Sequence, residues 1–340
     1  MAWTILTLGF LALAGATVLA VGGVRLLLLR HSVFDRPNHR SSHSVPTPRG
    51  GGIGVLAIVL PAWVAIGLAI PDSLGGPSVT AWGIPAGAAF LAVVSWIDDL
   101  RGLGPAIRLV AQLAATAALI LFLPGPVFQG LLPAYADAAA ALLLWVWFVN
   151  LYNFMDGIDG IAATETLTIG AGLSLVGLVT VPLVADHLQA GVLAAAAFGF
   201  LAWNRPPAKI FLGDVGSVPL GYLLGWLLLG LAGTGQWQSA LILPLYYLAD
   251  ATLTLGRRTV RGEKIWRAHR EHYYQRAVRA GRSHGAVSAR VAIAGLALVV
   301  LAIAAGVRGA ESSGGWLALT AAMLVVVALL RWMTRPERTA

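Results

Sequence analysis

Long apolar stretches separated by short polar segments dominate the chain. The first covers residues 2–24 without a charged side chain, and similar stretches follow to the carboxyl terminus. About 20 apolar residues carry a helix across a bilayer, because each residue advances the helix by about 1.5 Å. We therefore predict about eleven membrane-spanning helices, near 2–24, 51–70, 79–97, 106–123, 137–152, 161–183, 188–203, 215–232, 239–255, 290–307 and 315–333.

The composition excludes an ordinary soluble globular protein. Of the 340 residues, 58% are hydrophobic and only 11% are charged, and the mean hydropathy is +0.79. We expect an all-α, polytopic membrane protein that forms one domain over residues 1–340. No Lys or Arg precedes the first apolar stretch, so we expect that span to be retained rather than cleaved as a signal peptide. The absence of cysteine excludes disulfides and thiol chemistry.

The basic residues fall on one side of this predicted topology. Every Lys and Arg except Arg308 lies in or next to alternate connections, or in the carboxyl-terminal tail. The positive-inside rule then places those connections in the cytoplasm and the amino terminus outside. The most basic of them is residues 256–288. The net charge of +8 therefore indicates topology and contact with anionic lipid, and we expect no nucleic-acid partner.

Amides and carboxylates follow the fifth apolar stretch, where a spanning helix should leave the hydrocarbon. They are Asn150, Asn153, Asp156 and Asp159. Steps of three residues place the first three on one helix face, and Gly157 and Gly160 permit close backbone approach. A simple turn between two helices is the alternative. The density of polar groups favours a site for a metal ion and a phosphate.

Acidic residues also mark the ends of two other predicted spans. Asp98 and Asp99 close the third span, and neighbours on a helix point about 100° apart, so that one can bind metal while the other acts on the substrate. Asp214 follows Gly213 at the start of the eighth span. Helix-start amides favour an anion and the carboxylate favours a metal, so a metal-bound diphosphate would satisfy both. Asp214 as a helix cap is the alternative.

Two basic segments supply candidates for binding a phosphorylated substrate. They are Arg40, His43 and Arg49 ahead of three glycines, and His269, Arg270 and His272 in the long basic loop. Three residues apart on a helix, the two histidines could share one ligand; neutral imidazoles suit zinc, whereas the arginine-rich setting favours an anion. A juxtamembrane basic loop and an amphipathic helix on the lipid headgroups are the alternatives.

Two further acids lie inside predicted spans. A charged Asp250 inside a span costs free energy unless it is paired. We therefore expect a basic partner, and Arg257 and Arg258 are a turn or two away. Glu165 is either a partner of the acidic site or an interface residue.

Together the acids favour a hard divalent cation. Carboxylate oxygens without cysteine suit Mg²⁺, with Mn²⁺ as an alternative, and Mg²⁺ usually keeps one or two carboxylates plus waters and substrate phosphates. The substrate should therefore carry phosphates, and a site at the bilayer surface can reach both a lipid and a soluble nucleotide.

Five ordered motifs resemble one enzyme family. The segments HSVFDRPNHRSSHSVPTPRGGGI, SWIDDLRG, NLYNFMDGIDGIAA, FLGDVGSVPLG and RAHREHYYQR are similar to those of the polyprenyl-phosphate N-acetylhexosaminyl-1-phosphate transferases. The resemblance implies ten or eleven transmembrane helices in a bacterial inner (plasma) membrane and a cytoplasmic Mg²⁺ site. It also implies a UDP-N-acetylhexosamine donor and undecaprenyl phosphate as the acceptor. The oligomeric state stays open, with a homodimer as one alternative.

The resemblance also assigns roles by motif position. Asp214 resembles the metal ligand of the family, and Asp98 and Asp99 resemble its paired acids. Asn153, Asp156 and Asp159 match its nucleotide-side and metal-side residues. The form His269-Arg270-Glu271-His272-Tyr273 is similar to the branch that initiates lipopolysaccharide O-antigen with 6-deoxy sugars such as N-acetylfucosamine or N-acetylquinovosamine. A peptide-bearing N-acetylmuramic acid donor is therefore not expected.

For the mechanism, we expect the lipid phosphate to attack the sugar-linked phosphorus of the donor, with UMP leaving. Asp214 would bind Mg²⁺ with Asp99 or Asp156, while Asp98 deprotonates or orients the lipid phosphate; a covalent route through an Asp nucleophile stays open. Two other classes are weaker alternatives. A Mg-dependent membrane prenyltransferase should carry an acid four residues after Asp99, where Leu103 stands. An ion-coupled transporter should place its acids near the bilayer centre.

Overall fold

The computed structural model describes residues 2–35, 37, 45–70, 79–180, 185–264, 269–309 and 312–335. A short antiparallel pair joins β1 (Phe34–Asp35) to β2 (Thr47–Pro48). The α-helices in these residues are α1 (Ala2–Arg30), α2 (Gly52–Ala69), α3 (Ile84–Arg101), α4 (Pro105–Ala117), α5 (Ala134–Phe154), α6 (Ile161–Thr180), α7 (Ala185–Asn204), α8 (Asp214–Gly233), α9 (Trp237–Ile242), α10 (Leu245–Val260), α11 (Tyr273–Arg279), α12 (His284–Arg308) and α13 (Ser313–Thr334). A π-helical turn (Val79–Gly83) precedes α3, and a 3₁₀ turn (Ile120–Phe122) extends α4.

Ten helices in the described part of the chain are long and apolar enough to cross a membrane. The prediction of an all-α, multi-pass membrane protein is therefore confirmed. The stretch predicted as one span over residues 239–255 is instead divided between α9 and α10. Pro244 lies at the break, because it has no backbone N–H to donate and its ring would clash with the preceding turn of a continuous helix. Neither fragment alone is long enough to count as a span. Together, however, α9 and α10 run from the end of the bundle where Trp237 contacts Trp316 to the end where Asp250 contacts α11, so the stretch still crosses the bundle.

Helix α8 lies at the centre of the bundle. Every residue from Val215 to Ala232 is buried, and α3 and α5 pack along its length. The indole of Trp145 on α5 stacks on the Tyr222 ring, with centroids 4.9 Å apart, and donates to the Tyr222 carbonyl at 2.9 Å. Because α8 is enclosed by other helices, its first residue is held in a fixed position at one end of the bundle.

The start of α2 touches the start of α8 through glycine. A Cβ on Gly52 would lie 2.2 Å from the Gly216 Cα atom, so neither position leaves room for a side chain. Gly52 N–H donates to Leu212 O at 2.9 Å, and Phe211 N–H donates to Pro48 O at 2.8 Å. Gly50 to Gly52 thus admit the backbone of the segment before α8, and this brings Arg49, the residue before them, next to Asp214.

Substitution of Gly52 by alanine tests this close contact. Gly52→Ala should destabilise the fold by about 1–3 kcal/mol, because the added methyl group forces the two helix starts apart. Gly15→Ala on α1 is the matched control, since a Cβ there meets no atom within 4 Å. The measurement is the temperature at which the purified protein in detergent loses its monodisperse peak in size-exclusion chromatography. Equal temperatures for the two variants would show that the helix starts are not in contact.

Candidate active site

Arg49 joins carboxylates from two helices. Its Nη2 atom lies 2.6 Å from Asp99 Oδ1 at the end of α3 and 2.8 Å from Asp214 Oδ1 at the start of α8. Asp99 also accepts from the backbone N–H groups of Asp214, at 3.2 Å, and Val215, at 3.1 Å. Asp99 therefore stabilises the positive amino end of α8. The anion that we expected at this helix start is a side chain of the same protein.

Gly213 makes this arrangement sterically feasible. Its φ angle is +76°, in the left-handed region that favours glycine. A Cβ there would lie 2.9 Å from Asp99 Oδ2. The Gly-Asp sequence before α8 therefore allows the end of α3 to approach the first amides of α8.

Asp156 supplies a further carboxylate. It lies in the loop after α5. Burial, and after it the negative charge of Asp214, raises the pKa of its carboxyl to about 7. Among the described residues, no hydrogen-bond donor contacts this carboxylate. Asp214, Arg49 and Asp99 all act electrostatically on this carboxyl. Three acids therefore share one arginine, and the cluster carries surplus negative charge when the acids are ionised.

A divalent cation fits this surplus charge. In the described part of the chain, no group of three or more His, Asp or Glu side chains is placed so that it could hold a metal ion. Both oxygens of Asp99 are engaged with Arg49 and the α8 amides, whereas Asp214 contacts Arg49 through Oδ1 alone. Asp214 Oδ2 and the Asp156 carboxylate are therefore the groups that would hold Mg²⁺. Two carboxylates are enough for Mg²⁺, because waters and substrate phosphates usually complete its coordination.

The neighbouring acid Asp98 faces a different helix. Its Oδ2 atom lies 3.2 Å from Arg108 Nη1 on α4, and its Oδ1 atom accepts from Leu103 N–H. The two adjacent carboxylates thus point in different directions, as their helix spacing indicated. Asp98 holds the connection from α3 to α4, and its predicted role toward the lipid phosphate stays a prediction.

The asparagines of the third motif do not share one face with Asp156, and that prediction was wrong. Helix α5 ends at Phe154, so Asp156 lies beyond it. Asn150 donates to Gln112 Oε1 on α4, whereas Asn153 donates to Ser217 Oγ on α8 at 2.8 Å. Both asparagines fix α5 against its neighbours, with Asn153 next to the first turn of α8.

Asp159 connects the same loop to distant parts of the chain. Its Oδ1 atom lies 3.3 Å from His284 Nδ1 at the start of α12, and its Oδ2 atom accepts from Ala208 N–H at 3.0 Å. Ser288 Oγ donates to its carbonyl oxygen at 2.7 Å. These contacts give Asp159 a positioning role for the loop that carries Asp156, and its catalytic role stays a prediction.

The fifth motif is organised by Asp250, which the motif reasoning did not include in the site. Asp250 accepts from the backbone N–H groups of Tyr273, at 2.9 Å, and Tyr274, at 3.2 Å, and therefore caps α11. Its Oδ1 atom also lies 3.2 Å from His272 Nδ1. The expected basic partner is thus His272, whereas Arg258 pairs with Glu263. A partner 22 positions away along the chain leaves no local signal in the sequence.

The two histidines do not lie on one helix as predicted, because α11 begins at Tyr273 and His272 is its capping residue. Their rings are nevertheless close, with centroids 4.9 Å apart. Burial, followed by the neighbouring His272 and Arg258, lowers the pKa of His269 to about 4, so His269 is neutral at neutral pH. His272 itself is almost fully buried.

Tyr274 connects the fifth motif to the acidic loop. Its hydroxyl donates to Phe154 O at 2.9 Å, and a Cβ on Gly157 would lie 2.1 Å from that hydroxyl. The structure therefore brings motifs two to five to the same end of the bundle, together with Arg49 of the first.

Arg40 and His43 lie outside the described residues. Arg270 is half-buried before α11, and its carbonyl accepts from Arg279 at 3.4 Å. Glu165 is buried inside α6, as its position predicted.

Comparison with known proteins supports the grouping of these motifs in one site. Residues 81–232, which include motifs two to four, match glycosyl transferase family 4. The decaprenyl-phosphate N-acetylglucosaminephosphotransferase of Mycolicibacterium smegmatis is 31% identical over 319 residues, a match that covers 81% of this chain and 77% of the relative. The chain belongs to glycosyl transferase family 4.

Two further members of the family are similar over most of the chain. The probable undecaprenyl-phosphate N-acetylglucosaminyl 1-phosphate transferase of Bacillus subtilis is 28% identical over 282 residues, covering 77% of this chain and 74% of the relative. A phospho-N-acetylmuramoyl-pentapeptide-transferase of Mycobacterium sp. (strain JLS) is 30% identical over 288 residues, covering 70% of this chain and 78% of the relative. The resemblance drawn from the motifs is confirmed, and the enzyme is a glycosyl transferase rather than a prenyltransferase or a transporter.

Replacement of Asp250 by asparagine should loosen α11. Tyr273 N–H and Tyr274 N–H donate to different oxygens of Asp250, and asparagine replaces one of these acceptors by a donor –NH₂ group. Loss of a helix cap typically costs about 1 kcal/mol, or roughly fivefold faster amide exchange. Hydrogen exchange followed by mass spectrometry should show this acceleration over residues 273–279.

The matched control is Asp137→Asn, because Asp137 accepts from Val127 N–H at 3.0 Å and Phe128 N–H at 2.8 Å in a different part of the bundle. That variant should accelerate exchange near residue 127 and leave α11 unchanged. Unaltered exchange over 273–279 in Asp250→Asn would contradict the capping role of Asp250.

Proposed function

We propose that this enzyme transfers an N-acetylhexosamine 1-phosphate from a UDP-sugar to a polyprenyl phosphate, with undecaprenyl phosphate as the acceptor, and releases UMP. The observation that carries the proposal is that Arg49 joins Asp99 and Asp214 at the ends of two membrane helices, with Asp156 close enough to interact electrostatically with all three. Similar proteins are named as transferases of this kind. A site with surplus negative charge at the bilayer surface suits a cation-bound diphosphate that must meet a lipid.

The reaction exchanges one phosphorus–oxygen bond for another. An oxygen of the lipid phosphate attacks the sugar-linked phosphorus of the donor, and the bond from that phosphorus to the bridging oxygen of UMP breaks. UMP leaves with the electron pair, and the lipid then carries a diphosphate-linked sugar. Both reactants are anions, so their mutual repulsion is the main electrostatic obstacle.

Asp156 and Asp214 are the residues that would hold Mg²⁺, with Mn²⁺ as an alternative. When bound, the ion supplies positive charge to the diphosphate oxygens. Arg49 keeps Asp214 in place, and about a third of its own side chain is exposed, so it can also face a phosphate. Asp99 holds Asp214 and Val215 through their amides, which makes it a positioning residue for the metal side of the site.

Asp98 is the acid that we propose orients or deprotonates the lipid phosphate. It lies at the end of α3, and its ion pair with Arg108 holds α4 beside it. A covalent route through an aspartate nucleophile remains the competing mechanism. The two routes differ in one measurable respect, because a covalent route releases UMP from the donor when the acceptor is absent.

We propose that the site faces the cytoplasm of a bacterial cell, with the amino terminus outside. The basic residues support this orientation, because they concentrate in the connections at the same end as the acidic cluster. We also propose a set of substrate-binding residues: Arg40, His43, Arg49, Asn150, Asn153, His269, Arg270 and His272.

For the donor, we propose a UDP-linked 6-deoxy-N-acetylhexosamine used to start an O-antigen. The support is the form of the fifth motif, His269-Arg270-Glu271-His272-Tyr273. The relatives at 31% and 28% identity are named for N-acetylglucosamine. Parallel assays with UDP-N-acetylglucosamine, UDP-N-acetylfucosamine and UDP-N-acetylquinovosamine decide between these sugars.

An assay of UMP release tests the proposed function directly. Purified protein with Mg²⁺, undecaprenyl phosphate and a UDP-sugar should release UMP and form a lipid-linked sugar. Asp156→Asn and Asp214→Asn should each lower turnover by more than about 100-fold, beyond the 10–100-fold effect of an outer-shell partner. Asp137→Asn should retain turnover, because this buried acid lies away from the cluster.

Turnover near the wild-type level in Asp156→Asn or Asp214→Asn would remove that residue from the proposed metal site. Absence of UMP release with all three donors would contradict the proposed reaction. UMP release without the lipid acceptor would favour the covalent route over direct attack.

A further inference from the structure

A groove between α10 and α11 lies outside the acidic site. Its volume is about 890 Å³. It is lined by exposed side chains of α10, including Leu253, Arg257 and Val260, and by Arg276 and Arg279 of α11. The opposite face of α10 is buried and carries Asp250. The groove is therefore on the outer side of the helix pair that holds the fifth motif.

Three of the four arginines that line this groove lack acidic partners in the part of the chain that the structure describes. Arg261, at one edge, pairs with Glu271. Arg257, Arg276 and Arg279 make no ion pair with a described residue. The groove therefore presents three uncompensated positive charges, which is the charge distribution of a site for an anion.

Two of these charges are held close together by an aromatic ring. The Arg257 guanidinium lies 4.9 Å from the centroid of the Tyr273 ring, and that of Arg276 lies 5.6 Å from the same centroid. Cation–π attraction offsets part of the repulsion between the two guanidinium groups. The Tyr273 ring is itself buried. The pair is therefore pre-positioned, and a bound phosphate would remove the remaining repulsion.

The same groove has an apolar side. Leu253 is 46% exposed and Val260 is 89% exposed. They are seven residues apart on α10, which places them on one face about two turns from each other. Apolar side chains that remain exposed beside a cluster of arginines suit a ligand with a charged head and a hydrocarbon chain. A soluble nucleotide or free phosphate would leave these apolar groups in water.

We propose that the groove between α10 and α11 binds an anionic phospholipid of the surrounding bilayer. Arg257, Arg276 and Arg279 contact the phosphate headgroup, and an acyl chain lies along Leu253 and Val260. The bound lipid stabilises the outer side of the helix pair whose inner side holds His272 through Asp250. This inference concerns binding and does not depend on the proposed reaction.

Lipid binding to the full chain tests the proposal. The protein is purified in a neutral detergent, and native mass spectrometry follows titration with phosphatidylglycerol or with phosphatidylcholine of the same chain length. The wild type should bind phosphatidylglycerol at least about tenfold more tightly, with roughly a fivefold contribution from each arginine at the membrane surface. The double variant Arg257→Gln, Arg276→Gln should lose most of that preference.

Two matched variants control for folding and for general charge. Arg257→Lys with Arg276→Lys retains both charges and should keep the preference to within a few-fold. Arg331→Gln with Arg335→Gln removes two exposed arginines from the end of α13 and should leave the preference unchanged. Unfolding temperatures of all variants in the neutral detergent separate loss of binding from loss of fold.

Three results would overturn the proposal. Equal binding of the two lipids by the wild type would show that the groove does not select an anionic headgroup. An unchanged preference in the glutamine pair, or an equal loss in the α13 control, would place lipid binding elsewhere. Displacement of phosphatidylglycerol by inorganic diphosphate at the same concentration would assign the groove to a soluble phosphate.

Discussion

The contact of Arg49 with Asp99 and Asp214 is the interaction on which the site depends. One guanidinium group fixes the end of α3 and the start of α8, two helices more than a hundred residues apart in the chain. The two carboxylates would otherwise repel each other in a partly buried setting. Removal of one member of such a group leaves an uncompensated charge, which costs more than the intact group contributes.

Glycine makes this contact sterically feasible. The glycines after Arg49 bring the backbone of residues 48–52 against residues 211–216, and Gly213 admits the Asp99 carboxylate. Asp99 then accepts the first amides of α8. As a result, Asp99 and Asp214 neutralise the positive charge of Arg49, and Asp99 also caps the start of α8. The Asp156 carboxylate remains available to a cation.

Much of this arrangement could be predicted from the sequence, because it depends on local patterns. Apolar length predicted the spans, and Asp99 and Asp214 lie at the helix ends where the polar residues begin. The features that the sequence did not predict depend on contacts between distant parts of the fold. The end of α5 before Asp156, the use of Asp99 as a cap for α8, and the pairing of Asp250 with His272 are each decided by a partner from a distant segment. Pro244, by contrast, is a local signal for the break between α9 and α10, and the high hydrophobicity around it obscured that signal.

The most direct test of the account is the binding of Mn²⁺, an ion with the same preference for oxygen ligands as Mg²⁺, followed by electron paramagnetic resonance of the purified protein without substrates. We expect one bound ion per chain in the wild type and in Asp137→Asn, with binding lost in both Asp156→Asn and Asp214→Asn. Binding that survives in either of the last two variants, or a wild-type protein that binds no ion, would contradict the proposed cation site.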